Sequence, residues 1–309
     1  MSKPYQGFEP KWVTEAAPKD SWRSIFRWGD PTFTKFPKES LYKLMKEKFK
    51  MTDDDFSHYC GSVGNEKVKL DTPCRLDPMH IAALTEIVGK DNISTEDYDR
   101  LSVAYGKTAY DAMRLRDKRV DSIPDAVLYP GSTEEVEKIV AYCTKNRIPL
   151  YVYGGGSSVT RGVEPTLGGI SLDMRRRFNK VVSFNETDQT ITVLAGMSGP
   201  SLEKTLIDSP KLFGAERAYT CGHFPQSFEY SSVGGWVVTR GAGQNSTYYG
   251  CITDIVMGQK YATPIGTIQT SPYPREATGP NLNQIMMGSE GCFGVLTEVT
   301  LKVFRYMPE

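Results

Sequence analysis

The residues best suited to chemistry are a run of small ones, Gly154, Gly155, Gly156, Ser157, Ser158 and Thr160, that follows the apolar stretch 148–153. Glycines let the main chain turn sharply and bring several N–H groups to one point, which makes a cradle for an anion. Without Cβ atoms there, a phosphate could approach the main chain, and the three hydroxyls add further donors. A plain glycine-rich surface turn is the competing reading. Two familiar phosphate motifs are excluded, because no Lys-Ser or Lys-Thr follows the glycines and the spacing is not G-x-G-x-x-G.

Two further constellations lie downstream. The stretch 221–236 carries Gly222, His223, Pro225, Gln226, Ser227, Phe228, Glu229, Tyr230, Ser231, Ser232, Gly234, Gly235 and Trp236. Its small and hydroxyl residues predict a helix whose first turn holds Gly234 and Gly235, with free N–H groups turned towards an anion. Thr239, Arg240, Gly241 and Ala242 follow, and a third glycine-rich run, 288–296, holds Glu290, Gly291, Cys292, Phe293, Gly294, Val295 and Leu296. His223 reads equally as a loop-shaping or a catalytic residue. Arg240 reads as an ion-pair partner or as a guanidinium for phosphate or carboxylate.

Elements must hold these runs in place. From Pro124 the pattern alternates strand and helix. A strand is expected at 125–129. A capping box opens at Ser132, and Val136, Ile139, Val140 and Cys143 recur at helical spacing. The strand 148–153 then enters the cradle, so strand, helix, strand and loop form one unit. A strand at 169–174, a hairpin over 181–195, a helix opened by 196–201, two short strands at 255–258 and 260–262, a helix within 278–287 and a closing strand at 295–303 complete the pattern. The run Arg175, Arg176, Arg177 reads first as a solvated turn.

The first 120 residues read differently. Trp22, Phe26 and Trp28 before a Gly-Asp-Pro turn suggest an arm that docks aromatic rings on a neighbour. Leu41, Leu44 and Met45 mark a docked helix with a lysine-rich outer face. Helices are also expected at 81–88, after Ser94, and over 108–120.

The 309 residues balance 37 basic against 37 acidic side chains, which gives no electrostatic footprint for nucleic acid. Six scattered cysteines without a C-x-x-C pair, and His58, His80 and His223 far apart, argue against a metal site. No stretch is long and apolar enough to span a bilayer, and the polar start lacks a secretory h-region, so a cytoplasmic protein is expected.

Together, the sequence 123–130, the cradle and the two downstream runs resemble the FAD-binding (PCMH-type) domain of the vanillyl-alcohol-oxidase flavoprotein superfamily. The branch most similar is alkylglycerone-phosphate synthase, whose pattern falls on Gly222, His223, Pro225, Ser227, Glu229, Ser231 and 233–236, then on Thr239 and Arg240. The resemblance implies an α+β fold of two α/β subdomains over 121–309, preceded by a mainly helical arm over 1–120. It implies FAD contacts from Val152, Tyr153, Gly154, Gly155, Gly156, Ser157 and Ser158. It adds Gln226, Ser227, Phe228, Glu229, Tyr230, Ser231, Ser232, Gly234 and Gly235, then Thr239, Arg240, Gly241 and Ala242, and finally Glu290, Gly291, Cys292, Phe293, Gly294, Val295 and Leu296. Cys292 and Phe293 depart from the small and aliphatic residues usual in that last run.

Many relatives link FAD covalently through a histidine directly after the cradle glycines. Ser157 and Ser158 stand there, so non-covalent FAD is expected. Family enzymes continue into a cap that completes the substrate site, and a separate subunit supplying that cap or accepting electrons is a possible partner beside a small-molecule substrate. The expected activity is oxidation of a small alcohol or hydroxy acid. The alternatives are an ether-lipid synthase of the alkylglycerone-phosphate type, whose flavin shows no net redox turnover, and a non-catalytic assembly subunit.

Overall fold

In a computed structural model, residues 16–26, 39–57, 63–274 and 277–308 are described. Trp28, the turn at 29–31, His58 and Cys60 lie outside them. The chain divides into two compact units, one of residues 1–71 and 107–121, the other of 72–106 and 122–309. Residues 72–106, assigned to the arm by sequence, thus fall in the second unit.

In the first unit, helix Trp22–Phe26 packs on helix Ala109–Arg116 and buries Trp22, Ile25 and Leu115. A capping box at Thr108 opens the second of these helices. Arg114 donates to Asp111 across 2.7 Å, with both side chains 1% exposed. Burial opposes the Asp111 charge, but hydrogen bonds from Arg114 and Thr108 outweigh it and hold its carboxyl below the ordinary range. Helix Glu39–Phe49 buries none of its side chains, contrary to the docked face expected of it, and Leu41, Leu44 and Phe49 are exposed.

The second unit is built on two sheets. Helix α1 (Pro78–Val88) is capped by Asp77 and leads into β1 (Ile93–Ser94) and α2 (Asp97–Ser102). Strands β2 (Ala126–Leu128), β3 (Leu150–Tyr153) and β4 (Ile170–Asp173) are parallel, and β1 pairs antiparallel with β2, giving the order β1-β2-β4-β3. The register sets Ala126 and Leu150 on either side of Ile170. Ser132 caps α3 (Thr133–Asn146) through the Glu135 N–H. The Glu135 carboxylate reaches back to the Gly131 N–H and also pairs with Arg177.

The second sheet is antiparallel, ordered β5 (Val181–Asn185), β6 (Thr190–Leu194), β10 (Val295–Lys302), β8 (Val256–Thr263), β9 (Gly266–Gln269). The two short strands expected at 255–262 are one, because Val256 through Ala262 pair continuously along β10 apart from two register shifts. Helix α4 (Gly199–Ile207), strand β7 (Tyr219–Thr220), helix α5 (Val233–Val238), helix α6 (Leu282–Met286) and strand β11 (Phe304–Arg305) complete the unit.

Helix α3 joins the sheets. Val136, Ile139, Val140 and Cys143 recur every three or four residues and share one core with Leu128, Leu172, Tyr261 and Val299. Leu84 and Val88 of α1 belong to the same core, which explains why residues 72–106 fold with it. No described helix is long and apolar enough to cross a membrane.

Candidate functional site

The parallel strands β2, β3 and β4 end side by side, and the glycine run leaves the end of β3. Open α/β sheets present their ligand sites at this edge. A cavity of about 330 Å³ opens there. Its walls come from the cradle, from the segment around α5, from the 288–294 loop, and from Met174 and Ala195 at the ends of β4 and β6.

Each cradle glycine is required by the protein's own packing. A Cβ on Gly154 would lie 2.3 Å from Ser232 Oγ, one on Gly155 1.8 Å from the Tyr230 carbonyl, and one on Gly156 1.9 Å from the Tyr153 hydroxyl. Gly156 also has a φ of +66°, which favours glycine. The glycines therefore seat the cradle against the 230–232 segment. The N–H groups of 155–159 are left without a hydrogen-bond partner among the described residues.

The helix α5 terminus is different. Ser232 caps it through the Gly235 N–H, while the Val233 and Gly234 N–H groups donate to Met197 and Ala195 and that of Trp236 to Ser232. Its expected free donors are thus engaged within the protein. This terminus locks α5 onto the end of β6, and the cradle keeps the open donors.

Seventeen residues assigned from sequence line the cavity: Val152, Gly154 through Ser158, Ser227, Ser231, Ser232, Gly234, Gly235, Thr239, Gly241, Glu290, Gly291, Gly294 and Leu296. Tyr153 lies beneath Gly156 instead. Gln226, Phe228, Glu229 and Tyr230 sit in the turn before α5, off the lining; Ala242 after α5 and Phe293 in the 288–294 loop are off it too. Cys292 and Val295 line a second cleft of about 380 Å³, which shares Val152, Gly291 and Gly294 with the first cavity. Val159, Thr160, Gly162, Val163, Met174, Ala195, Pro225, Trp236 and Val238 complete the lining. Of these, Met174 and Ala195 follow the last residues of strands, a position that only the sheet order could mark as facing the cradle.

The two catalytic candidates, His223 and Arg240, lie off the lining. His223 is 1% exposed, neither ring nitrogen has a hydrogen-bond partner, and its ring meets Trp236 edge-on at 4.9 Å. Burial pushes it down to about 4, so it stays neutral near pH 7. Arg240, at a φ of +52°, donates to the Gln284 and Met287 carbonyls and to the Gln284 side chain, which clamps α6. The arginine run is also engaged. Arg175 pairs with Asp173, Arg176 stacks 4.8 Å over Tyr129, and Arg177 donates to the Tyr129 carbonyl and pairs with Glu135.

Trp236 forms part of the cavity wall. Its indole N–H donates to Ser231 Oγ at 2.6 Å, and Ser231 in turn donates to the Ser227 carbonyl. Across the mouth, Thr160 donates to Glu290, the only charged side chain in the lining among the described residues. The cavity thus combines a run of open N–H donors with a wall rich in apolar side chains, which fits a ligand that joins phosphate to a flat ring system.

Residues 124–271 match the family described as FAD binding domain. The chain carries the PCMH-type FAD-binding domain of the vanillyl-alcohol-oxidase superfamily. It is 31% identical over 280 residues to alkyldihydroxyacetonephosphate synthase of Trypanosoma brucei brucei, covering 88% of this chain and 44% of that protein. It is 32% identical over 241 residues to the mitochondrial D-lactate dehydrogenase [cytochrome] 1 of Saccharomyces cerevisiae, covering 75% and 38%. A solved structure of an alkyldihydroxyacetonephosphate synthase superposes with a TM-score of 0.70 at 31% identity, over 77% of this chain and 42% of that one. The chain therefore spans less than half the length of these relatives. FAD is the cofactor of this domain, and the open donors and apolar wall fit it.

Proposed function

We propose that this chain is the cofactor-holding part of a flavoenzyme of the alkyldihydroxyacetonephosphate synthase type. The run of open N–H donors at 155–159, with the hydroxyls of Ser157 and Ser158, would hold the diphosphate of FAD. The wall of Ser231, Ser232, Gly235, Trp236 and Gly241 would face its ring system. When bound, FAD supplies electron exchange with a small molecule at the open side of that wall. The chain's own residues fix the ligand, exclude water with Met174, Val238 and Leu296, and keep His223 neutral behind Trp236.

The observation that favours the synthase type is the reach of the similarity. It runs over 280 residues, well beyond the 124–271 core, at 31% identity. The oxidation of a small hydroxy acid is the second reading, supported by the 241-residue match to D-lactate dehydrogenase. A protein partner that accepts electrons fits only this second reading. No histidine or cysteine lines the cavity among the described residues, and Cys221 is buried with its thiol pushed up by burial, so we take the FAD to be non-covalent.

The test is stoichiometry. Formation of alkyldihydroxyacetonephosphate without consumption of an electron acceptor supports the synthase type. Acceptor consumed in proportion to D-lactate or a related hydroxy acid rejects it in favour of the dehydrogenase.

A further inference from the structure

Glu290 presents an apparent conflict. A carboxylate stands in the wall of a cavity whose main-chain donors are arranged for an anion, and like charges repel. Its position is fixed on both sides. The Glu290 N–H donates to the Val238 carbonyl, and its backbone has a φ of +47°, a left-handed conformation uncommon for a residue with a side chain. Its Oε2 accepts from Thr160 Oγ1 at 2.9 Å and lies so near Gly162 that a Cβ there would come within 2.9 Å. Thr160 Oγ1 is also 3.2 Å from Ser158 Oγ. The cradle and the 288–294 loop, 130 residues apart in sequence, are thus tied across the cavity by one hydroxyl and one carboxylate.

A threonine has a single O–H to donate. While that proton is given to Glu290, Thr160 cannot give it to a phosphate oxygen. We infer that the Thr160–Glu290 hydrogen bond is a latch over the cofactor cavity, and that Thr160 becomes a phosphate donor only when the latch opens. The inference rests on the assignment of FAD to this cavity and adds a rule for entry. An arriving diphosphate repels the carboxylate, takes over the Thr160 hydroxyl, and separates the two loops. For a ligand that binds only the open form, the apparent affinity is the intrinsic affinity multiplied by the fraction of chains in which the latch is open.

The test is stopped-flow binding of FAD to the full chain, read by flavin fluorescence, with two variants that act differently. Glu290→Gln keeps the backbone and the Thr160 hydroxyl but weakens the latch, so association accelerates several-fold while dissociation is unchanged. Thr160→Val removes both latch and donor, so association and dissociation both accelerate. If Glu290→Gln does not fold, Glu290→Asp, one methylene too short to reach Thr160, takes its place with the same expectation. Slower association or faster dissociation in the Glu290 variant overturns the latch and makes the carboxylate a direct ligand contact. Unchanged rates in both variants overturn it as well. Failure of the unaltered chain to bind FAD overturns the cofactor assignment itself, and the latch with it.

Discussion

The carbonyl oxygen of Tyr230 lies 1.8 Å from where a Cβ on Gly155 would stand. That oxygen belongs to the main chain of the turn before α5, so it cannot swing aside as a flexible side chain would. Gly155→Ala should therefore push the cradle off the 230–232 segment. We expect a loss of about 1–3 kcal/mol by urea denaturation, together with weakened FAD binding by titration. Gly291→Ala is the comparison. Nothing lies within 4 Å of its Cβ position, and only the φ of +91° opposes the change. Its stability loss should be about 1 kcal/mol, from the left-handed backbone alone.

His223 should give the protein a pH-dependent stability. Its folded value lies near 4, below the ordinary 6.5, because burial disfavours the charged ring. Between pH 6.5 and 4 the unfolded chain takes up a proton that the folded chain refuses. Stability is then full above that window, falls as pH drops through it, and levels off below. The full drop is about 3 kcal/mol. Urea titrations from pH 7 to pH 4 should show this slope in the unaltered chain and a shallower one in His223→Leu.

Ser231→Ala should cost about 1–3 kcal/mol. The change strands the buried Trp236 indole N–H, whose 2.6 Å bond goes to the lost hydroxyl, and also removes the tie to the Ser227 carbonyl. A lower urea midpoint with an unchanged slope is the expected result. A midpoint equal to the unaltered chain's would mean that the indole N–H finds another acceptor.

Acid precipitation should release all of the flavin from purified protein, because the described lining of the cavity offers no histidine or cysteine for a link. Chromatography of the supernatant should recover intact FAD. Yellow colour remaining in the pellet would contradict a dissociable cofactor.

Local pattern made much of the molecule legible before any fold was known. The Ser132 cap and the 136–143 spacing give α3, the apolar runs before Gly154 and at 169–174 give β3 and β4, and the polar turn at 185–188 between two strand-like runs gives the hairpin of β5 and β6. Such features depend on neighbours within about four residues, and their signal is contained in that window. The glycine runs likewise announce turns and close approaches, and seventeen of the residues that the resemblance implied do line one cavity.

Local pattern could not say what each glycine or donor is close to. Gly155 looked like room for a phosphate and is instead room for the Tyr230 carbonyl; the α5 terminus looked open and is filled by Ala195 and Met197. From sequence Arg240 could be an ion-pair partner or a guanidinium for phosphate or carboxylate, and only the folded chain brings Gln284 within reach of it. Thr160 and Glu290 carry no shared motif and meet only because β3 ends and β10 begins at the same cavity. The sequence by itself determined most of the elements and the glycine-rich turns, since these arise from short-range sterics and periodicity, while its motif runs carried the resemblance to the family. The tertiary structure alone decided which donors remain free and which charges meet, because a hydrogen bond is settled by whichever partner the packed chain brings within about 3 Å.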